Sequence, residues 1–208
     1  MGTFIVLLVV VNPIGLAPIF AGLTRGQDRT HQHRQAWHAT LLATIILITF
    51  FISGDTLLRL LGIGLPAFRI AGGMLLFLVA IDMIFARGSG VRSTTLRERA
   101  EAAHKEDVSV FPLAFPLISG PGAITTTLLM ANTWSTIPQF ITILLLLILV
   151  LGLALLAMLS SPWIMRLLGE TGTNVIGRLL GLMLAALAIQ YMLDGLADSF
   201  PALMIQSS

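Results

Sequence analysis

The stretch "FITILLLLILVLGLALLAML", residues 140–159, is twenty consecutive residues with no charge and no proline. A helix rises about 1.5 Å per residue, so a run of this length covers the hydrocarbon core of a bilayer. A helix apolar on every side also finds no wet face in a soluble globule. Composition extends the point to the whole chain: 56% of residues are hydrophobic, 11% are charged, and the mean hydropathy is +0.95. A soluble domain carries about 25% charged residues. The sequence therefore belongs in a lipid bilayer.

Six apolar runs are each long enough to cross: residues 4–23, 38–60, 66–86, 109–131, 138–160 and 174–196. The start, "MGTFIVLL", lacks the positive n-region of a secretory signal and reads as the first span, uncleaved. The loops after spans one, three and five carry Arg25, Arg29, Arg34, Arg87, Arg92, Arg97, Arg99, Lys105, Arg166 and Arg178, against Arg59 and Arg69 on the other side. The positive-inside rule puts the basic loops in the cytoplasm and both termini outside. The net charge of +2 decides nothing, and no basic run is interleaved with aromatics, so nucleic acid is not an expected partner. The chain has no cysteine, which excludes disulfides and thiolate chemistry.

The sequence also repeats itself. "RLLGIGLPAFRIAGGMLLFLVAIDMI", from Arg59, resembles "RLLGETGTNVIGRLLGLMLAALAIQYM", from Arg166. The offset is 107 residues at "RLLG" and 108 after one insertion, where Gly73 aligns with Gly181 and Ala80 with Ala188. The same offset of 108 lays Pro13 of "VNPIGLAP" on Pro121 of "SGPGAI". Each copy holds three spans, an odd number, so the second copy enters the membrane from the opposite side. The predicted fold is thus all-α and integral to the membrane. Its six transmembrane helices form two inverted-topology three-helix repeats, with helices 1 and 4 broken near the midplane. Residues 1–86 form the first repeat, 87–108 a charged cytoplasmic linker, 109–198 the second repeat and 199–208 a C-terminal tail.

Irregular backbone at membrane depth is tolerated where protein or water surrounds it. "VNPIGLAP" and "LISGPGAITTT" are therefore expected to face each other inside the bundle. A broken helix offers amide N–H groups at one new end and carbonyls at the other, which suit the carboxylate and ammonium of a zwitterion. Neither motif holds a charged side chain, which favours a net-neutral solute. The candidate binding residues are Asn12, Pro13, Gly15, Ser119, Gly120, Pro121, Gly122 and Thr125, with Thr126 and Thr127 as further neutral hydrogen-bonding groups. The competing reading of each motif alone is a packing kink.

With those two motifs quoted, the chain resembles the MarC family, also called the neutral amino acid transporter family, over essentially its whole length. The resemblance implies an inner-membrane protein of a bacterium or archaeon. It also implies transport of small neutral amino acids such as glycine and alanine, driven by an ion gradient.

Asp82, in "VAIDMIF", is the ionisable candidate for coupling to protons; the alternative is an interfacial partner for Arg87. Proton or sodium is the expected coupling ion, and no cofactor or metal is expected. His31, His33 and His38 lack acidic or cysteine co-ligands and read as a solvated basic loop. Arg97, Glu101 and Lys105 stand at i, i+4 spacing, as in a short surface helix. Gly72, Gly73, Gly177 and Gly181 mark close helix packing, within the fold or between subunits of a homo-oligomer. An enzyme is not expected, because no histidine lies at membrane depth to activate Ser119. A channel would want a continuous polar stripe, which the spans lack. The expected function is secondary transport of a small neutral solute; the alternative is an accessory or regulatory membrane protein, or an exporter of another small metabolite.

Overall fold

The computed structural model describes residues 2–85 and 107–200. Every regular element among them is helical: α1 (Gly2–Val11), α2 (Pro13–Leu23), α3 (Arg29–Leu60), α4 (Leu65–Phe85), α5 (Ser109–Ile118), α6 (Pro121–Ala131), α7 (Ile137–Leu159) and α8 (Ser161–Ser199). Five apolar stretches are long enough to cross a membrane, Gly2–Leu23, Arg29–Gly54, Leu65–Phe85, Ile137–Leu159 and Thr171–Ser199. The pair α5 and α6, bent by 57°, makes a sixth. Most of the linker read as residues 87–108, with Arg97, Glu101 and Lys105, and most of the tail lie outside the described residues.

The chain stops and starts helices where local chemistry requires it. At the end of α3, Gly62 takes a left-handed φ of +67°. Its N–H reaches Arg59 O at 3.1 Å, and the Ile63 N–H reaches back to Leu58 O at 2.9 Å. That closes the last turn as a Schellman cap, which a side chain at Gly62 would strain. Gly169, the glycine of the other "RLLG", has a φ of +64° and turns the chain inside α8. The sequence places a span only from residue 174, whereas the chain is already helical over residues 161–168. At its start α3 runs nine residues past the predicted 38, as an exposed polar extension holding Arg29, His31, His33 and Arg34.

The segment α5 is not an ordinary helix. Phe111 and Phe115 precede prolines and are extended, at φ −133° and −134°. Proline disfavours helical geometry in the residue before it. The turns between them are wide, with Leu113 N–H bonded to Val108 O at 3.2 Å and Ser119 N–H to Ala114 O at 2.9 Å. Upstream, the Asp107 carboxylate accepts the Ser109 N–H at 2.9 Å. Hydrogen bonds from Ser109, aided by the nearby His38 and Arg34 charges of α3, hold that carboxyl below the usual range.

The bundle is centred on α4 and α8, whose pairing is the most extensive in the molecule. They run antiparallel. A methyl at Gly73 would come within 2.7 Å of Ala188 O, and one at Gly181 within 3.2 Å of Ala80 O. At the far end Gly195 meets Pro66 O, and Arg69 pairs with Asp198. Around this pair α1 and α2 pack on α7, α3 packs on α5 and α6, α2 lies on α8, and α6 lies on α4. Phe20, Leu47, Leu76, Leu113, Leu147 and Leu184 fill the shared core.

Candidate functional site

Two interruptions of helix carry the predicted site residues. The first falls on Asn12, between α1 and α2. Its N–H still closes α1 onto Leu8 O at 2.9 Å, but its φ of 53° is left-handed and diverts the chain. Its side chain then folds back as the cap of α2, accepting the Gly15 N–H at 3.1 Å. Pro13 occupies the first helical position, where its missing N–H costs nothing. A side chain at Gly15 would displace this cap: a methyl on it would lie 2.2 Å from Asn12 Nδ2.

The second interruption is at Ser119 and Gly120, between α5 and α6. The Ser119 hydroxyl donates to Ala114 O at 2.6 Å, doubling the bond its own N–H makes there. Gly120 is the extended N-cap of α6 and sits so close to Pro116 that a methyl would be 2.3 Å from Pro116 O. Pro121 again takes the first helical position. In the first turn Ile124 N–H bonds Gly120 O at 3.0 Å, and the amides of Gly122 and Ala123 have no intrahelical acceptor.

Just past the second interruption, Gly122 brings α6 against neighbouring helices. A methyl there would fall 2.8 Å from Leu76 Cδ2 and 4.0 Å from Val10 Cγ1, so α6 touches both α4 and α1 at this point. Thr125, one turn further, fills the notch left by Gly72 on α4. Asn12, Pro13, Ser119, Gly120, Gly122 and Thr125 are all buried, and Gly15 and Pro121 are partly so. The candidate residues of each motif thus lie in the interior of the bundle, on elements that touch one another. Asn12 Oδ1 and the Ser119 hydroxyl are spent on the helix ends.

The two further threonines named from the sequence stand out beside them, together with Tyr191, which sequence reasoning did not single out. Thr126 and Thr127 are 0% and 2% exposed, and neither hydroxyl bonds a backbone carbonyl of its own helix. The Tyr191 side chain of α8 comes up beside Thr126. A signal was present in the sequence, three consecutive threonines behind a helix breaker, but only the fold shows which hydroxyls are left over.

The other candidates scatter. Asp82 lies in the last turn of α4, partly buried. His31, His33 and His38 project from the exposed start of α3. Of the glycines, Gly72, Gly73 and Gly181 pack within the fold, whereas Gly177 faces open space. A groove of about 290 Å³ lies between α1 and α8, lined by Ile5, Val9, Met183 and Gln190 among others. It is separate from the interruptions.

The sequence model of the MarC family integral membrane protein matches residues 1–200. The chain is 38% identical to the UPF0056 membrane protein YhcE of Escherichia coli, covering 97% of this chain and 93% of that one. It is 37% identical to the UPF0056 membrane protein YvbG of Bacillus subtilis, over 96% and 95% of the two chains. The UPF0056 membrane protein MJ1677 of Methanocaldococcus jannaschii is 34% identical over 90% of each. No solved structure matches the chain.

Proposed function

This chain belongs to the MarC family of integral membrane proteins, and on that premise we propose that it is a secondary transporter. It moves a small neutral solute, a neutral amino acid such as glycine or alanine, across the cytoplasmic membrane by alternating access. A proton or sodium gradient drives it, and no covalent chemistry is involved. The two halves are inverted repeats, and the interruptions at Asn12 and Gly120 lie near the midplane, where such folds hold substrate.

One observation carries this reading. The offset of 108 that takes Gly73 to Gly181 takes Ala80 to Ala188. Gly73 packs on Ala188 O and Gly181 packs on Ala80 O. Exchanging the halves therefore turns one contact into the other. Because α4 and α8 are antiparallel, the axis of that exchange runs across the helices, in the membrane plane. The remaining packing follows the same rule: α1 and α2 lie on α7 as α5 and α6 lie on α3, and α2 lies on α8 as α6 lies on α4. Both "RLLG" glycines are left-handed. Two related halves meeting at a pseudo-two-fold axis can trade conformations around a shared site, which is the economy of alternating access.

The buried state of the site residues fits an occluded conformation, which must loosen at Gly122 and Leu76 to admit a solute. The test is uptake of labelled glycine and alanine into proteoliposomes, with and without an imposed proton or sodium gradient. Gly122→Ala is the informative variant, because its methyl meets the flexible end of Leu76; at Gly120 the obstacle is the Pro116 backbone itself. Saturable, gradient-driven uptake that falls about tenfold or more in Gly122→Ala, with the variant still folded, supports transport through this site; such a loss corresponds to about 1.4 kcal/mol. Absence of uptake under every gradient, from folded protein, moves the reading to an accessory role or to export of another metabolite.

A further inference from the structure

Threonine in a helix usually turns its hydroxyl onto the carbonyl one turn back. This chain does so repeatedly: Thr24 bonds Phe20 O at 2.9 Å, Thr40 bonds Ala36 O at 2.9 Å, Thr44 bonds Thr40 O at 2.7 Å and Thr173 bonds Gly169 O at 2.9 Å. Thr126 and Thr127 are exceptions. Their hydroxyls make no such bond although they are buried, the setting in which an unmet polar group costs most. A helical side chain leans toward the N-terminus of its helix and covers the turn before its own Cα. Thr126 therefore overlies the first turn of α6, the turn that begins at the interruption. Tyr191 approaches it from α8, the helix of the other wall.

We infer that Thr126, with Thr127 beside it and Tyr191 facing it, forms a hydrogen-bonding subsite for a neutral polar group of a small solute, a hydroxyl or a carboxamide. The inference rests on the transporter reading for how such a solute arrives, and it deepens that reading by naming what the site recognises. The neighbouring charges are already engaged: Arg69 pairs with Asp198, and Asp194 accepts from Gln190 at 2.7 Å. What the subsite offers is therefore uncharged donors and acceptors, with Thr127 unpartnered and Thr126 approached by Tyr191 alone. A site built to bond a hydroxyl discriminates against the same molecule without it, because its own buried group is then left unmet.

The experiment compares binding of radiolabelled L-serine and L-alanine, which differ by one hydroxyl, to the full chain in detergent, alongside uptake of both by proteoliposomes. The wild type is expected to bind L-serine roughly tenfold tighter than L-alanine, the ratio one such hydrogen bond supplies. Thr126→Val keeps the shape and removes the hydroxyl, and should bring the two affinities together. Its unliganded melting temperature should fall by no more than the loss of the Tyr191 contact allows, less than for a threonine bonded to its own helix. Thr126→Ser restores a hydroxyl and should keep the preference, which holds the test open if the valine variant folds poorly. Equal binding of the two amino acids by the wild type, binding of neither, or a preference that survives in Thr126→Val each overturns the subsite. Uptake of both at equal rates overturns it while leaving transport intact, whereas serine-selective binding without uptake under any gradient keeps the subsite and removes the transporter.

Discussion

At the scale of single residues, Asn12 does two jobs that separate under mutation. Its backbone is left-handed, which glycine tolerates and alanine does not, and its side chain caps α2. Asn12→Gly removes the cap but keeps the backbone at ease, so it should cost only a few tenths of a kcal/mol. Asn12→Ala loses the cap and adds backbone strain, about 2 kcal/mol in all. Gly15→Ala drives the Asn12 amide out of its seat, because the new methyl would lie 2.2 Å from it. Its cost should therefore overlap that of Asn12→Ala, and the double variant should lose clearly less than the sum. Thermal unfolding of the four proteins in one detergent decides the matter. Additive losses would mean that Gly15 serves some neighbour other than Asn12.

At the scale of elements, the long apolar runs were legible because a membrane span is specified by little more than length and the absence of charge. Their centres fall where the helices are. The interruptions at Pro13 and Pro121 were legible too, since proline cannot continue a helix without losing a bond. The wide turns of α5 were missed, although "FPLAFPLI" carries the cue: each phenylalanine before a proline is pushed out of helical geometry. The helix over residues 161–168 was missed because it is too short and too polar to read as a span, and only the turn at Gly169 reveals it. Which glycine packs on what also lay beyond the sequence. "GxxxG" at Gly177 and Gly181 reads as one motif, yet Gly181 lies against Met83 and Ala80 while Gly177 has nothing within 4 Å. This difference sets an ordering. Gly73→Ala, blocked by the Ala188 backbone at 2.7 Å, should destabilise by about 1–3 kcal/mol, as overpacking does. Gly181→Ala, facing its nearest backbone atom at 3.2 Å, should cost less, and Gly177→Ala should be neutral or stabilising. Denaturation of the three variants would contradict the α4–α8 packing if Gly177 proved the most sensitive.

At the scale of the whole molecule, the charges mark two ends of the bundle. Asp107, leading into α5, lies near Arg34 and His38 at the start of α3. Arg69 at the start of α4 pairs with Asp198 at the end of α8. Both pairings join halves of the chain, one at the start of α3 and the other at the start of α4. If all six stretches cross, the first end collects Arg25, Arg29, Arg34 and Arg166, and the second holds Arg59 and Arg69. Basic loops resist translocation, so the orientation we propose puts the first end in the cytoplasm and both termini outside. The chain has no cysteine, which makes the assignment directly measurable. A cysteine replacing Asp28, exposed between α2 and α3, should be shielded from a membrane-impermeant maleimide in intact cells and react once the membrane is opened. A cysteine replacing Ser135, exposed between α6 and α7, should react in intact cells. Labelling with the two sites exchanged would invert the molecule and keep the fold. Labelling of both sites from outside would mean that one of the six stretches does not cross, and an odd number of crossings cannot be divided into two inverted halves of three. The bent pair α5 and α6 is where such a failure would fall, since neither piece alone is long enough to span about 30 Å of hydrocarbon. The maleimide pattern therefore tests the orientation and, through parity, the repeat on which alternating access depends.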